Sequence, residues 1–276
     1  MPKNKLQKTI IILIAYSLFV LLVFPYFVML ITSLKDKTEM YKIPPNFFPQ
    51  NWTFENFIDI WTVIPLSSYL LNSLIIAVGT TVLALLCALP AAYVLARLKF
   101  SGKNLYTYII IVTQMFSPIV LLVGLYREIQ FFGLMDSLFS LILVNTAFNQ
   151  AFAVWILYGY FSTIPYELEQ AAWIDGCTRM QALRKIVLPN AMPGIVTAVI
   201  FVFIAAWNEF VVALTFISTE TTKPLTVGIH AFFGKYDIQW QYLFATSLVA
   251  TIPVIILFLS IEKYLVAGLT AGGVKD

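Results

Sequence analysis

Long apolar stretches separated by short polar ones set the pattern of this chain. Residues 9–34 are almost wholly apolar and follow Lys3, Lys5 and Lys8. They are long enough to cross a bilayer core of about 30 Å. Similar stretches recur at residues 69–96, 105–125, 138–161, 193–217 and 242–267, the third interrupted by Pro118. The pattern predicts an all-α integral membrane protein with six transmembrane helices. Residues 1–68 would form the first span and an external loop, residues 69–267 the core of the remaining spans, and residues 268–276 a tail. The first apolar run exceeds the roughly 7–15 residues of a signal-peptide core and no small-x-small cleavage site follows, so it reads as an uncleaved span. The polar, Pro-rich and aromatic residues 35–65 read as an external loop carrying a short helix near residues 54–61. Nothing repeats at the period of a solenoid and no low-complexity tract marks a second domain.

The longest stretch of polar character between two apolar spans is residues 165–189, and it reads as two short helices joined by a tight turn. Thr163 is placed to cap the first helix, Pro165 suits its opening turn, and Glu167 and Glu169 sit at its positive dipole end. Asp175-Gly176 should end that helix, because glycine accepts the left-handed conformation of a helix C-terminus. Thr178-Arg179-Met180-Gln181 then has the form of a capping box. Arg184 and Lys185 suit the negative end of the second helix, and Pro189 should stop it. Ala171 and Ala172 would let another backbone approach closely, which makes the hairpin a candidate docking plug. A solvated loop between two spans fits the same residues.

Glu169-Gln170-Ala171-Ala172, Gly176 three residues later, and Ile186 with Leu188-Pro189 nine residues beyond resemble the EAA loop of binding-protein-dependent ABC importer permeases. Gln170 stands where the family usually has Glu. The resemblance implies that the hairpin, through Glu167, Glu169, Gln170, Ala171, Ala172, Asp175, Gly176, Ile186, Leu188 and Pro189, docks into a separate ATPase. Closure of the ATPase pair would rock the permease between two states. The end of the chain, Gly268, Leu269, Thr270, Ala271, Gly272, Gly273, Val274 and Lys275, resembles the tail of the second, shorter permease of maltose-type carbohydrate importers, which reaches between the ATPase subunits. Ala206-Trp207-Asn208-Glu209-Phe210, Ala91-Ala92-Tyr93, Ala96-Arg97 and Phe100-Ser101-Gly102 carry the same resemblance. It implies a heterodimer with a second related permease, two ATPase subunits, an external substrate-binding protein, and a sugar as cargo. ATP and Mg would be held by the ATPase, with no cofactor in this chain. The same architecture also imports solutes such as glycerol phosphate or polyamines.

Composition narrows the classes. Of 276 residues, 60% are hydrophobic and only 11% charged, with a mean hydropathy of +0.87, against about a quarter charged in a soluble globule. The net charge of +3 is too small to point to nucleic acid. With both termini inside, Lys3, Lys5, Lys8, Arg97, Lys99, Lys103, Arg179, Arg184, Lys185, Lys263 and Lys275 face the cytoplasm, and the resemblance implies that the membrane is the inner membrane of a bacterium. Only Lys35, Lys37, Lys42, Arg127, Lys223 and Lys235 then face outward, so the positive-inside rule places the hairpin in the cytoplasm.

The chain carries no motor of its own. Ser101-Gly102-Lys103 is followed by Asn104, and Arg97 occupies the place of the first glycine of a phosphate-binding loop. No relay of ionisable groups suits a standalone secondary transporter, since Glu209 is the only acid deep in a predicted span. No nucleophile–base set is legible, and His230 sits alone in a loop, so no catalytic residue is expected. Cys87 and Cys177 make neither a disulfide framework nor a metal site. Asn145, Asn149, Trp207, Asn208 and Glu209, together with Gln150 and Trp155, are the polar and flat groups that could line a sugar pathway, or equally hold helices together. Glu209 is expected to face the bundle interior or a wet cavity. The glycine-rich residues 268–275 lack a periodic apolar face and should order only against a partner.

Overall fold

A computed structural model describes residues 5–234 and 237–271, of which 5, 6 and 263–271 as backbone. The chain opens with α1 (Lys5–Ser33), a 3-10 turn at Lys37–Tyr41 and α2 (Glu55–Val63), the short helix expected in the loop. The long α3 (Leu66–Arg97) is followed by α4 (Lys103–Thr113), α5 (Pro118–Phe131) and α6 (Leu138–Thr163). The polar hairpin contains α7 (Glu167–Ile174), α8 (Arg179–Ala182), a π turn at Leu183–Val187 and α9 (Leu188–Asn190). After it come α10 (Met192–Trp207), α11 (Val211–Phe216), α12 (Leu225–Gly228) and α13 (Trp240–Ala271).

Four of these helices, in α1, α3, α6 and α13, are long and apolar enough to cross a membrane, and six spans result if two bent pairs are each counted once. The predicted third span is one of them: α4 and α5 meet at 96°. Pro118 starts α5 and has no N–H to continue the ladder from α4, so hydropathy sees one stretch where the backbone makes two. The predicted fifth span is broken as well. Helix α10 is 16 residues long, about 24 Å, and it ends at Trp207 before the separate α11 begins. Pro189 does not stop the chain either. Helical turns continue through it by the wider π pattern, and the turn comes at Ala191, where Arg179–Asn190 and Met192–Trp207 diverge by 73°. Residues Gly268, Leu269, Thr270 and Ala271 continue α13 rather than forming an irregular tail. A preceding helix removes the nucleation cost that a free glycine-rich segment faces. Gly272, Gly273, Val274 and Lys275 lie outside the described residues.

The chain divides into two compact units, Met1–Ser67 with Gly228–Ile252, and Ser68–Val227 with Pro253–Asp276. In the first, buried Glu39 accepts backbone N–H bonds from Gln50 and Asn51, each 2.9 Å, and these bonds hold its carboxyl below the ordinary range. Asn56 donates to the carbonyls of Ser33 and Lys35, which joins α2 to the end of α1. In the second unit, Ala84, Ala88 and Ala92 of α3 pack with Ala153, Leu157 and Phe161 of α6 and Ala198 and Val202 of α10. Small side chains bring these backbones close, the usual solution where lipid and protein are equally apolar. A second cluster joins Ile76, Leu122, Leu141, Val144, Val212 and Phe216.

The loop before α6 is latched to the loop after α11. Asp136 has φ of 57° and accepts from Ser218 N–H at 2.6 Å, Ser218 Oγ at 2.7 Å and Thr219 N–H at 2.8 Å. These bonds pull its pKa from an ordinary 3.8 to about 2.

Two predictions follow from this packing. A Cβ on Gly194 would lie 2.3 Å from the Tyr160 ring, so Gly194→Ala should destabilise the detergent-solubilised protein by about 1–3 kcal/mol in thermal unfolding. Because the folded pKa of Asp136 is depressed, its latch contributes fully above 3.8 and is lost as pH falls through about 2. Protease protection of the loop around Ser218 should therefore be the same at pH 5 and pH 7, and Asp136→Asn should lower it equally at both.

Candidate functional site

The hairpin departs from α6 at Ile164-Pro165. Thr163 does not cap α7: it closes α6, donating its hydroxyl to the Tyr160 carbonyl at 2.8 Å, and Tyr166 takes the N-cap position without a side-chain bond. The far end of α7 behaves as its sequence requires. Gly176 has φ of +84°, Cys177 N–H bonds the Ala172 carbonyl at 2.9 Å and Gly176 N–H bonds that of Trp173 at 3.1 Å. This is a Schellman closure, in which a left-handed residue lets two otherwise orphaned carbonyls be satisfied. The capping box at Thr178 and Gln181 is present in both directions, at 2.8 and 3.3 Å.

The two acids of the first turn part company. Glu167 is exposed, while Glu169 is fully buried. Glu169 accepts from Arg97 Nε through one oxygen and from the Tyr93 hydroxyl, at 2.8 Å, through the other. The side chain of Arg97 is 6% exposed, so both charges have left water and each depends on the other. Arg97 lies in the last turn of α3 and Glu169 in the first of α7, so each charge also opposes the dipole of its own helix. Around the pair runs a ladder of cations and rings. Arg97 lies 5.8 Å from the Tyr166 ring, Tyr166 meets Trp173 edge-on at 5.7 Å, and Arg179 lies 5.6 Å from the Trp173 ring.

With Glu169 and Ala172 turned inward, the opposite face of α7 is presented outward. Glu167, Gln170, Ala171, Asp175 and Gly176 are exposed, and so are Leu168, Ile174 and Met180. Ile174 is 86% exposed, an extreme for a large aliphatic side chain. Ile186 and Leu188 are half-buried and Pro189 is exposed. Leu168 and Ile174 were missed in the sequence, although with Ala171, which was singled out, they recur at helical spacing.

The proposed pathway residues make mostly local contacts in this chain. Asn145 donates to the Leu141 carbonyl and Asn149 to that of Asn145, so both serve the backbone of their own helix. Trp207 is buried and stacks on Phe203 at 5.8 Å. Asn208 is exposed at the end of α10. Glu209 stands at the break between α10 and α11, where its carboxylate accepts from the N–H groups of Val212 at 2.7 Å and Ala213 at 3.0 Å. An acid that looks unpaired inside an apolar stretch is thus the cap of a helix start. Asn145, Trp207 and Glu209 do share a cavity of about 10 Å³ with Ser73 and Thr226, room for one water and not for a sugar. Larger spaces lie elsewhere. One of about 690 Å³ in the bend of α4 and α5 is lined by Gln114, Phe116, Glu128 and Phe148, and one of about 790 Å³ along α6 and α10 by Phe152, Trp155, Tyr160, Asn190 and Thr197. No cluster of His, Cys, Asp and Glu among the described residues could hold a metal ion.

A polar hairpin that buries one acid and offers an apolar face between two apolar helices is the feature by which relatives can be judged, and residues 84–270 match the family model of the binding-protein-dependent transport system inner membrane component. The chain belongs to that family. It is 38% identical over 252 residues to the sulfoquinovosyl glycerol transport system permease protein SmoH of Agrobacterium fabrum, covering 91% of this chain and 88% of that one. It is 32% identical over 278 residues to the trehalose/maltose transport system permease protein MalG of Thermococcus litoralis, covering 100% and 99%. In a crystal structure of a bacterial ABC transporter that imports the acidic polysaccharide alginate, one chain superposes with a TM-score of 0.81 at 20% identity, over 96% of this chain and 98% of that one. The protein is therefore an ABC importer permease, a transport component and not an enzyme, and the standalone carrier is set aside.

Within this permease, Glu169→Leu strands a buried guanidinium and should cost about 3–5 kcal/mol. Glu167→Gln, on the open face, should cost near zero; thermal unfolding of both variants in one detergent checks the difference.

Proposed function

We propose that this permease imports a sugar or oligosaccharide handed over by an external binding protein, and that a separate ATPase drives it by docking on the outward face of α7. The observation that carries the reading is the orientation of that helix. Its inner acid is consumed by Arg97 and Tyr93, while Ile174, Ala171 and Leu168 stand exposed beside Glu167 and Gln170. Exposed apolar groups rimmed by polar ones are what a protein partner covers. Ile186, Leu188 and Pro189, named with them at first, form the base on which the hairpin stands rather than the docking surface.

In this reading the hairpin and both termini face the cytoplasm of a bacterial inner membrane, a second related permease completes the pore, and two ATPase subunits hold ATP and Mg. The glycines of residues 268–275 allow the end of α13 and the segment after it to reach those subunits. A sugar as cargo is favoured by relatives whose names carry trehalose, maltose and a sulfoquinovosyl glycoside. The lining of the two large spaces suits it as well, since Phe116, Phe148, Phe152 and Trp155 offer flat faces and Gln114, Asn190 and Thr197 offer hydrogen bonds.

Ile174→Asp tests the docking face, because it places a charge where an apolar contact is needed and touches nothing inside the hairpin. The variant should insert normally and lose most of the ATPase that copurifies with the unmutated permease. Full copurification and full uptake by Ile174→Asp would refute this face as the docking surface.

A further inference from the structure

Helix α3 is gripped by buried polar contacts at both of its ends. At the hairpin end, Tyr93 and Arg97 hold Glu169 of α7. At the opposite end, the Tyr69 hydroxyl donates to Glu220, and the Asn72 amide donates to the carbonyls of Thr221 and Lys223, each at 2.9 Å. Ser73 Oγ accepts from Leu225 N–H at 2.8 Å. Tyr69, Asn72 and Ser73 are buried, and the Ser73–Leu225 bond is shielded from competition by water while the other partners, Glu220 among them, reach the surface. The residues gripped are 167–174 on one side and 220–225 on the other, and between Asn72 and Arg97 the helix spans about 38 Å at 1.5 Å per residue.

We infer that α3 is a transmission element, which carries displacement of the hairpin to the segment Glu220–Leu225 at the other end of this helix. The inference rests on the docking reading above, since the ATPase supplies the displacement. An α-helix resists stretching because each turn is closed by its own hydrogen bonds, so a pull applied through Glu169 must be delivered along the axis or dissipated at a weak point. The weak point in α3 is Pro90, which removes one bond of the ladder. That stretch is braced from the side. With its NH2 toward the Ala84 carbonyl and its oxygen toward the Ala88 N–H, at 3.3 and 3.0 Å, the Gln150 amide of α6 bridges the turn before the proline. Ala88 and Ala92 on either side of Pro90 are both fully buried in the shared core.

The contacts at the far end are of a kind that transmits position. Asn72 holds two carbonyls of the segment, Ser73 holds an N–H, and Tyr69 holds the one acid, which is itself tied to Lys223. Three positions on one face of α3, at i, i+3 and i+4, thus hold the loop, two of them by its backbone and one by a side chain. At the hairpin end both oxygens of a single carboxylate are used, so α7 cannot rotate without dragging Arg97 or abandoning a buried charge.

The test reads the far end while the near end is driven. Cys87 and Cys177 are replaced by Ser, Thr221, whose side chain is exposed, is replaced by Cys, and the permease is purified assembled with its partner permease and ATPase. The rate at which a fluorescent maleimide labels that thiol is compared without nucleotide and with ATP trapped by vanadate. The rate should change by at least about fivefold between the two states. Glu169→Gln at one end and Asn72→Ala at the other should each reduce the change to less than twofold (~) while the ATPase still copurifies. Tyr93→Phe and Ser73→Ala, which delete one hydroxyl each, serve where a larger change prevents insertion and should lower the response in part. A rate that ignores nucleotide in the unmutated complex, or a full response in the variants, overturns the inference. An ATPase that never copurifies with the unmutated permease sinks the docking reading instead.

Discussion

Two opposite charges removed together from water govern how this protein presents itself. Neither Arg97 nor Glu169 can be left alone where they sit, because an isolated buried ion costs several kcal/mol even after the protein relaxes. The pair therefore fixes the roll of α7 about its own axis. Once position 169 points inward, positions 168, 171 and 174 must point outward, for a helix turns 100° per residue. The face offered to a partner follows from a contact on the other side of the helix. The Tyr93 hydroxyl completes the arrangement, since it occupies the carboxylate oxygen that Arg97 Nε leaves open.

The same demand, that buried polar groups be answered, explains why so many helices here can break without penalty. Each break in an apolar setting leaves backbone groups that lipid cannot satisfy. At the start of α11 Glu209 answers them with a carboxylate, and at the end of α7 Gly176 answers them by turning left-handed. Around Pro189 the answer is a π turn. Asp136 does for the loop after α11 what Glu209 does for its start. Four local devices of three kinds, two carboxylates, a left-handed glycine and a π turn, thus sustain a bent-helix architecture.

What was legible in the sequence was whatever depended on neighbours in the chain. The Schellman end at Gly176 and the capping box at Thr178 and Gln181 follow from residues within six positions of one another, and both stand as read. The membrane class and the number of apolar stretches were likewise legible, because hydropathy is a sum over local residues. The fate of Glu169 was not, since Glu167 and Glu169 share one helical turn and only Arg97 and Tyr93, 72 and 76 residues away, distinguish them. Hydropathy was blind to the 96° bend at Pro118 and to the break that turns Glu209 from an interior acid into a cap. Residues 268–271 were misread in the opposite sense, because Gly268 was weighed as part of a free segment and not as part of the last turns of a helix already formed.

Seen this way, the departure at position 170 loses its apparent gravity. Gln170 replaces an acid that the family usually carries, and beside two other glutamates that looks like a weakened ion pair. Yet Gln170 is exposed on the outer face, and the acid on which the fold depends is Glu169, one residue earlier and 100° around the helix. Glutamine in place of glutamate there changes the exposed face of α7 by one charge and leaves the buried Arg97–Glu169 contact intact. A surface carboxylate at that position would contribute at most about 1 kcal/mol to an exposed ion pair, whereas the buried one governs the roll of the helix and its attachment to α3. Two adjacent positions of one helical turn thus differ in kind, Glu169 holding the hairpin to α3 and Gln170 lying exposed on the outer face.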